Sequence, residues 1–163
     1  MSKHVEIHIA ELFSGKEDYV ITTSGVGSCV VIVLYDRLVR VCGMPHAILP
    51  HRRQSDTMAE SHRDDEGRVL AKYVDQAIKL LIEEIVINGG SRDHLVAKLI
   101  GGAHMFVLLE GDKHGIGWEN TEAARIELAQ SNIPIETEVV GGTVGRNVRF
   151  DCATGIVEIT TKV

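Results

Sequence analysis

The sequence predicts a single-domain α+β fold, and three observations carry that expectation. Short segments rich in branched apolar residues recur along the chain, separated by glycine-containing turns. Only two stretches repeat apolar residues at the three- and four-residue steps of a helix. Finally, 163 residues with 44% apolar and 25% charged content suit one domain, which at this size buries about 70% of the surface its unfolded form exposes.

The elements follow in order. Val5, Ile7 and Ile9 alternate with polar residues and predict a half-buried first strand. Asp18 to Thr23 reads as a second short strand, ended by a glycine turn. Cys29 to Tyr35 is rich in Val and Ile and reads as a buried strand, although so short an apolar run also suits a helix. Leu38 to Leu49 returns as an extended segment, and Pro50 opens a polar stretch without periodicity. Leu70, Val74, Ile78, Leu81, Ile82 and Ile85 mark the clearest helix, which Gly89-Gly90 stops. Leu95 to Ile100 reads as a strand broken by Gly101-Gly102. A shorter helix is expected from an Asn120 cap to a point before Pro134, with Ala124 and Leu128 on its buried side. Ile135 to Val140, Asn147 to Asp151 and Gly155 to Thr161 complete a set of about seven strands and two helices.

Charge and cysteine usage narrow the function. A net charge of −6 argues against nonspecific binding to nucleic acid or an anionic membrane, since both need a positive patch. The arginines between Arg37 and Arg68 are interrupted by Asp56, Glu60 and Asp64 to Glu66, so that region reads as a solvated face. The N-terminal residues lack a signal pattern and no apolar run approaches the ~18 residues of a membrane span. The expectation is a cytoplasmic protein made without a leader. Cys29, Cys42 and Cys152 form no CxxC pair and fit free thiols in a reducing compartment.

Candidate chemistry centres on Cys29. Free cysteines usually behave as small buried hydrophobes, a description that suits Cys42 and Cys152. Cys29 instead follows Gly25-Val26-Gly27-Ser28 at the mouth of the most strand-like segment. Glycines there permit a tight turn that presents a thiol and aims backbone N–H groups at one spot, the arrangement a nucleophile and an oxyanion hole need. A thiol with a free pKa near ~8.5 also needs a base. His46 in GMPHAILP and His104 in GGAHMF are the two candidates; the other six histidines lie in polar or terminal surroundings. A zinc site sharing Cys42 and His46 with Cys29 or Cys152 lacks a paired-cysteine knuckle. GGTVGR at 141–146 lacks the Gly-Lys-Ser/Thr ending of a phosphate loop and precedes a strand. Neither a metal nor a cofactor is expected.

TSGVGSCVVIVLYD, GMPHAILP, LVAKLIGGAHMF, IGWEN and VVGGTVGRNVRFDCATGIV, in that order, resemble the blocks of the CheD family of chemoreceptor glutamine deamidases. The resemblance spans Thr22 to Val157. It implies a Cys–His–Thr triad of Cys29, His46 and Thr23, with Gly27 and Ser28 in the oxyanion turn, and thereby selects His46 over His104. It also implies an α/β/β/α arrangement with mixed sheets, related to toxin-type glutaminyl deamidases. The expected reaction converts glutamines on receptor cytoplasmic helices to glutamates through a thioester, with glutamyl methyl ester hydrolysis as a second reaction by the same route. The expected partners are chemoreceptor helices and a CheC-type response-regulator phosphatase, with the charged 51–68 segment contributing to docking. The rival reading is a binding module that engages and stimulates that phosphatase with little deamidation.

Overall fold

The computed structural model describes residues 2–52, 69–105 and 115–161. Its elements are β1 (Lys3–Glu6), β2 (Glu11–Gly15), β3 (Tyr19–Val26), β4 (Val30–Asp36), β5 (Val41–Ala47), β6 (Val69–Leu70), α1 (Val74–Ile87), β7 (Leu95–Gly101), α2 (Ile116–Gln130), β8 (Ile135–Val140), β9 (Arg146–Asp151) and β10 (Ile156–Thr161), with a 3-10 turn at Arg92–His94. The strands form two mixed sheets. One runs β1-β3-β9-β10, with β1 parallel to β3; the other runs β6-β2-β5-β4-β7-β8, with β7 parallel to β8. The rest of the pairing is antiparallel.

Strand β4 shows why its sequence is an unbroken apolar run. Val30, Ile32 and Leu34 pack under the helices, while Val31, Val33 and Tyr35 point into the space between the sheets. Period-two geometry sends alternate side chains to opposite faces, and here both faces are core. The helical face is equally regular: Val74, Ala77, Ile78, Leu81, Ile82 and Ile85 of α1 are buried at three- and four-residue steps against the larger sheet. The inter-sheet layer gathers Ile7, Ile21, Met44, Ile100, Val148 and Phe150 around β4.

Both described helices therefore lie on the six-stranded sheet, and the described residues form three layers, α/β/β. The four-layer arrangement implied by family resemblance has no second helical layer among them. The outer face of the smaller sheet is instead polar across its strands, with Thr22, Arg149 and Glu158 side by side in register.

Other expectations shift at element ends. The first strand stops at Glu6, and Ile9 is exposed. Strand β2 was not anticipated. Leu38 and Val39 lie exposed in the turn before β5, and Leu70 belongs to β6 rather than to α1. Helix α2 starts at Ile116 behind a Gly115 cap, so Asn120 is inside it and fully buried. Most of the polar 51–68 segment and its expected docking role lie outside the described residues.

Candidate active site

Cys29 occupies the bend joining β3 to β4 and is half-buried against the inter-sheet core. Gly25 just upstream has φ 69°, the left-handed conformation that admits glycine most readily. Gly27 is needed for a different reason than backbone conformation: a Cβ there would stand 2.9 Å from Met105 Cγ. The carbonyls of the bend are all engaged. Gly27 O accepts from Ala103 N at 2.9 Å, Ser28 O from Asn120 Nδ2 at 2.8 Å, and Cys29 O from Gly102 N at 2.8 Å. Gly101 and Gly102 both have positive φ, and a Cβ on Gly101 would lie 2.3 Å from Cys29 O.

His46 sits on β5 opposite Val31 of β4, so its side chain shares the inner face with Val31. Two residues before Val31, Cys29 packs into the same layer, diagonally from His46. Thr23 reaches this layer from the other sheet, on β3. Its hydroxyl lies 2.7 Å from His46 Nδ1 and donates to Ile7 O at 2.8 Å. A hydroxyl has one proton. With that proton given to the Ile7 carbonyl, the oxygen can only accept from His46, which fixes the imidazole as the Nδ1–H tautomer. Nε2 is thereby left with a free lone pair; it is buried and has no protein partner among the described residues.

Burial pushes the His46 pKa down to about 4, with His8 a smaller cause, so the ring is neutral at physiological pH. Burial also pushes the Cys29 thiol up, its own backbone N–H pulling the other way. Both groups thus rest uncharged, a thiol and a neutral imidazole, rather than as a thiolate–imidazolium pair. What this arrangement can do is transfer a proton from sulfur to Nε2 as the sulfur attacks an electrophile.

The other candidates separate from this cluster. His104 donates its backbone N–H to Gly142 O and lines a small cleft with Ser28, Met105 and Ile116, without a ring hydrogen bond to the cluster. Cys42 and Cys152 are fully buried at the far end of the inter-sheet layer, and Cys152 beside Cys42 drives the Cys42 thiol strongly upward. Among the described residues no three His, Cys, Asp or Glu side chains converge as a metal site. The 141–146 segment is a turn into β9 whose carbonyl at Gly141 accepts from buried Arg146. Sequence reasoning missed the Ile7 carbonyl, Gly101 and Asn120. The Gly101-Gly102 pair was visible only as a strand end, and Asn120 only as a cap.

A sequence model of the family described as CheD chemotactic sensory transduction matches residues 48–161. A Pyrococcus abyssi protein named probable chemoreceptor glutamine deamidase CheD is 38% identical over 159 residues, covering 98% of this chain and 92% of its own length. The chain belongs to the CheD family. Two further CheD relatives carrying the same name, from Thermococcus kodakarensis and Geobacillus kaustophilus, are each 40% identical and cover 95% and 96% of this chain and 91% and 92% of their own lengths. The CheD family match starts beyond Thr23, Cys29 and His46, whereas these near-full-length alignments extend across the N-terminal third. A crystal structure of the Bacillus licheniformis hypothetical protein YfiH superposes with a TM-score of 0.48 at 13% identity, covering 79% of this chain and 49% of that one. Among the described residues no helix is long and apolar enough to cross a membrane.

Proposed function

We propose that this chain is a protein-glutamine deamidase that converts glutamines of chemotaxis receptors to glutamates by a thiol mechanism. Cys29 is the nucleophile, His46 the general base and acid, and Thr23 the residue that orients the imidazole. The observation that carries this reading is the Ile7–Thr23–His46 chain of hydrogen bonds, which leaves Nε2 as a free, buried basic nitrogen on a ring one diagonal step in register from Cys29.

Nε2 accepts the Cys29 proton as Sγ attacks the side-chain carbonyl carbon of the glutamine. The resulting oxyanion is held by backbone N–H groups of the Gly27-Ser28-Cys29 bend. The imidazolium returns its proton to the nitrogen, the C–N bond breaks, and ammonia leaves behind a thioester. Water then gives a proton to Nε2 and attacks that thioester, and the thiol departs reprotonated. A glutamyl methyl ester enters the same sequence with methanol in place of ammonia, so receptor methylesterase activity is part of the proposal. So are the cytoplasmic setting, the kinship with toxin-type deamidases and engagement of a CheC-type phosphatase.

The test is mass spectrometry of a receptor cytoplasmic fragment incubated with the wild type and with Cys29→Ala. Conversion of amide to acid adds about one dalton per glutamine, expected at defined glutamines and only with the wild type. An unchanged fragment, from a protein that still binds a CheC-type phosphatase, would replace this reading with that of a binding module.

A further inference from the structure

We propose that Asn120 is a positioning residue: it fixes the plane of the Ser28–Cys29 peptide and so aims the Cys29 N–H at the oxygen of the attacked carbonyl. The proposal rests on the reading of Cys29 as nucleophile given above.

Asn120 is the fifth residue of α2 and fully buried, inside the helix rather than at the cap where asparagine is usually found. Its amide nitrogen donates to Ser28 O at 2.8 Å and to Ile48 O at 3.0 Å. Two carbonyl acceptors settle the orientation of the amide, because the flipped form would set Oδ1 against two other oxygens. The acceptors belong to neighbouring strand ends. The β4–β5 ladder closes with Val30 opposite Ala47, and Ser28 and Ile48 lie just past that rung. Asn120 therefore ties the two strands where their own ladder has stopped, next to Cys29 on one side and two residues after His46 on the other.

The peptide group is planar and trans, so a carbonyl and the N–H that follows it point in opposite directions. Holding Ser28 O in the direction of α2 turns the Cys29 N–H away from α2. Of the three carbonyls in the bend, those of Gly27 and Cys29 are held by backbone N–H groups of Ala103 and Gly102. Only the Ser28 carbonyl depends on a side chain, which makes it the one that substitution can release.

Deamidation kinetics on a receptor cytoplasmic fragment test this, with iodoacetamide alkylation of Cys29 and thermal unfolding measured beside them. Alkylation needs an accessible, activated thiol but forms no oxyanion, so it reports thiol reactivity apart from oxyanion stabilisation. Asn120→Ala is expected to lower kcat about ten- to a hundredfold, a misaligned donor costing less than a deleted one. KM should stay within about twofold and the alkylation rate should fall far less than kcat, since the Cys29 N–H acts on alkylation only by easing the thiol pKa. Asn120→Asp keeps the shape, replaces the donors with oxygens and should lose at least as much kcat; it serves where the alanine variant does not fold. If kcat is unchanged in a folded variant, or falls only in step with the alkylation rate, the inference is overturned while deamidation stands. If the wild type converts no glutamine, both fall.

Discussion

The single proton of the Thr23 hydroxyl decides the chemistry available to His46. Thr23→Val removes the oxygen while keeping the shape, leaving His46 Nδ1–H and Ile7 O without their buried partner. Unfolding in urea is expected to show a loss of about 1–3 kcal/mol, the cost of unsatisfied buried groups. Alkylation of Cys29 should slow in the same variant because the tautomer is no longer enforced; Thr23→Ser should restore both. The histidine also predicts a pH dependence. Its folded pKa of about 4 lies below the ordinary 6.5, so the unfolded chain takes up the proton first as pH falls. Stability from this group is intact above pH 6.5, declines between 6.5 and 4, and the loss approaches the order of 3 kcal/mol. Denaturation at pH 7 and pH 4.5 checks it: His46→Gln should show a smaller acid loss than the wild type, and equal losses would assign the effect to other groups. At this scale the unusual backbone before Cys29 was legible, because glycines announce it. The choice between His46 and His104 needed family resemblance, since strand pairing, not local composition, decides which histidine faces the thiol. Ile7 and Asn120 were not legible, because each acts through a hydrogen bond to or from a backbone carbonyl, and a sequence does not display carbonyl proximity.

Among the elements, the two glycine turns that flank the bend differ in what they tolerate. Gly25 has positive φ but open space around it, whereas Gly101 combines φ 120° with the Cys29 carbonyl 2.3 Å from a would-be Cβ. Gly25→Ala is expected to cost about 1–2 kcal/mol from the left-handed conformation alone. Gly101→Ala should cost more and also displace Cys29, lowering deamidation at temperatures where the protein is folded. Chemical denaturation alongside turnover distinguishes the two. The elements legible in the sequence were those with a strong period or a full apolar run, such as α1 and β4. Strand β2 was not legible because ELFSG is short and its burial does not alternate: Glu11 and Leu12 are both buried, Phe13 and Ser14 both half-buried. The start of α2 was hidden for a related reason. The expected Asn120 cap left Ile116 to Glu119 outside the helix, yet a Cβ on Gly117 would lie 2.5 Å from Ala103 O, so that glycine marks close packing rather than a break.

Across the whole molecule, the candidate site is divided between two sheets, with Thr23 on one, His46 on the other and Cys29 in the bend that joins them. The inter-sheet layer should therefore matter to turnover in a way the packing beneath α1 does not. Phe150 is fully buried between the sheets, its ring edge-on to Tyr35 with centroids 5.4 Å apart, while Leu81 is equally buried under α1. Phe150→Ala and Leu81→Ala are each expected to lose about 2–5 kcal/mol of stability. Measured where both remain folded, only Phe150→Ala should also reduce kcat; matching kcat values would mean that the sheets hold their spacing without it. The division has a consequence for biosynthesis. Thr23, Cys29 and His46 are all translated within the first 46 residues, but the partners that hold them follow much later: Gly102 grips the Cys29 carbonyl, Asn120 grips the bend, and β9 pairs with the strand bearing Thr23. A ribosome makes the proposed reacting groups first and their supports last, so a half-made chain carries the proposed triad without the contacts that position it.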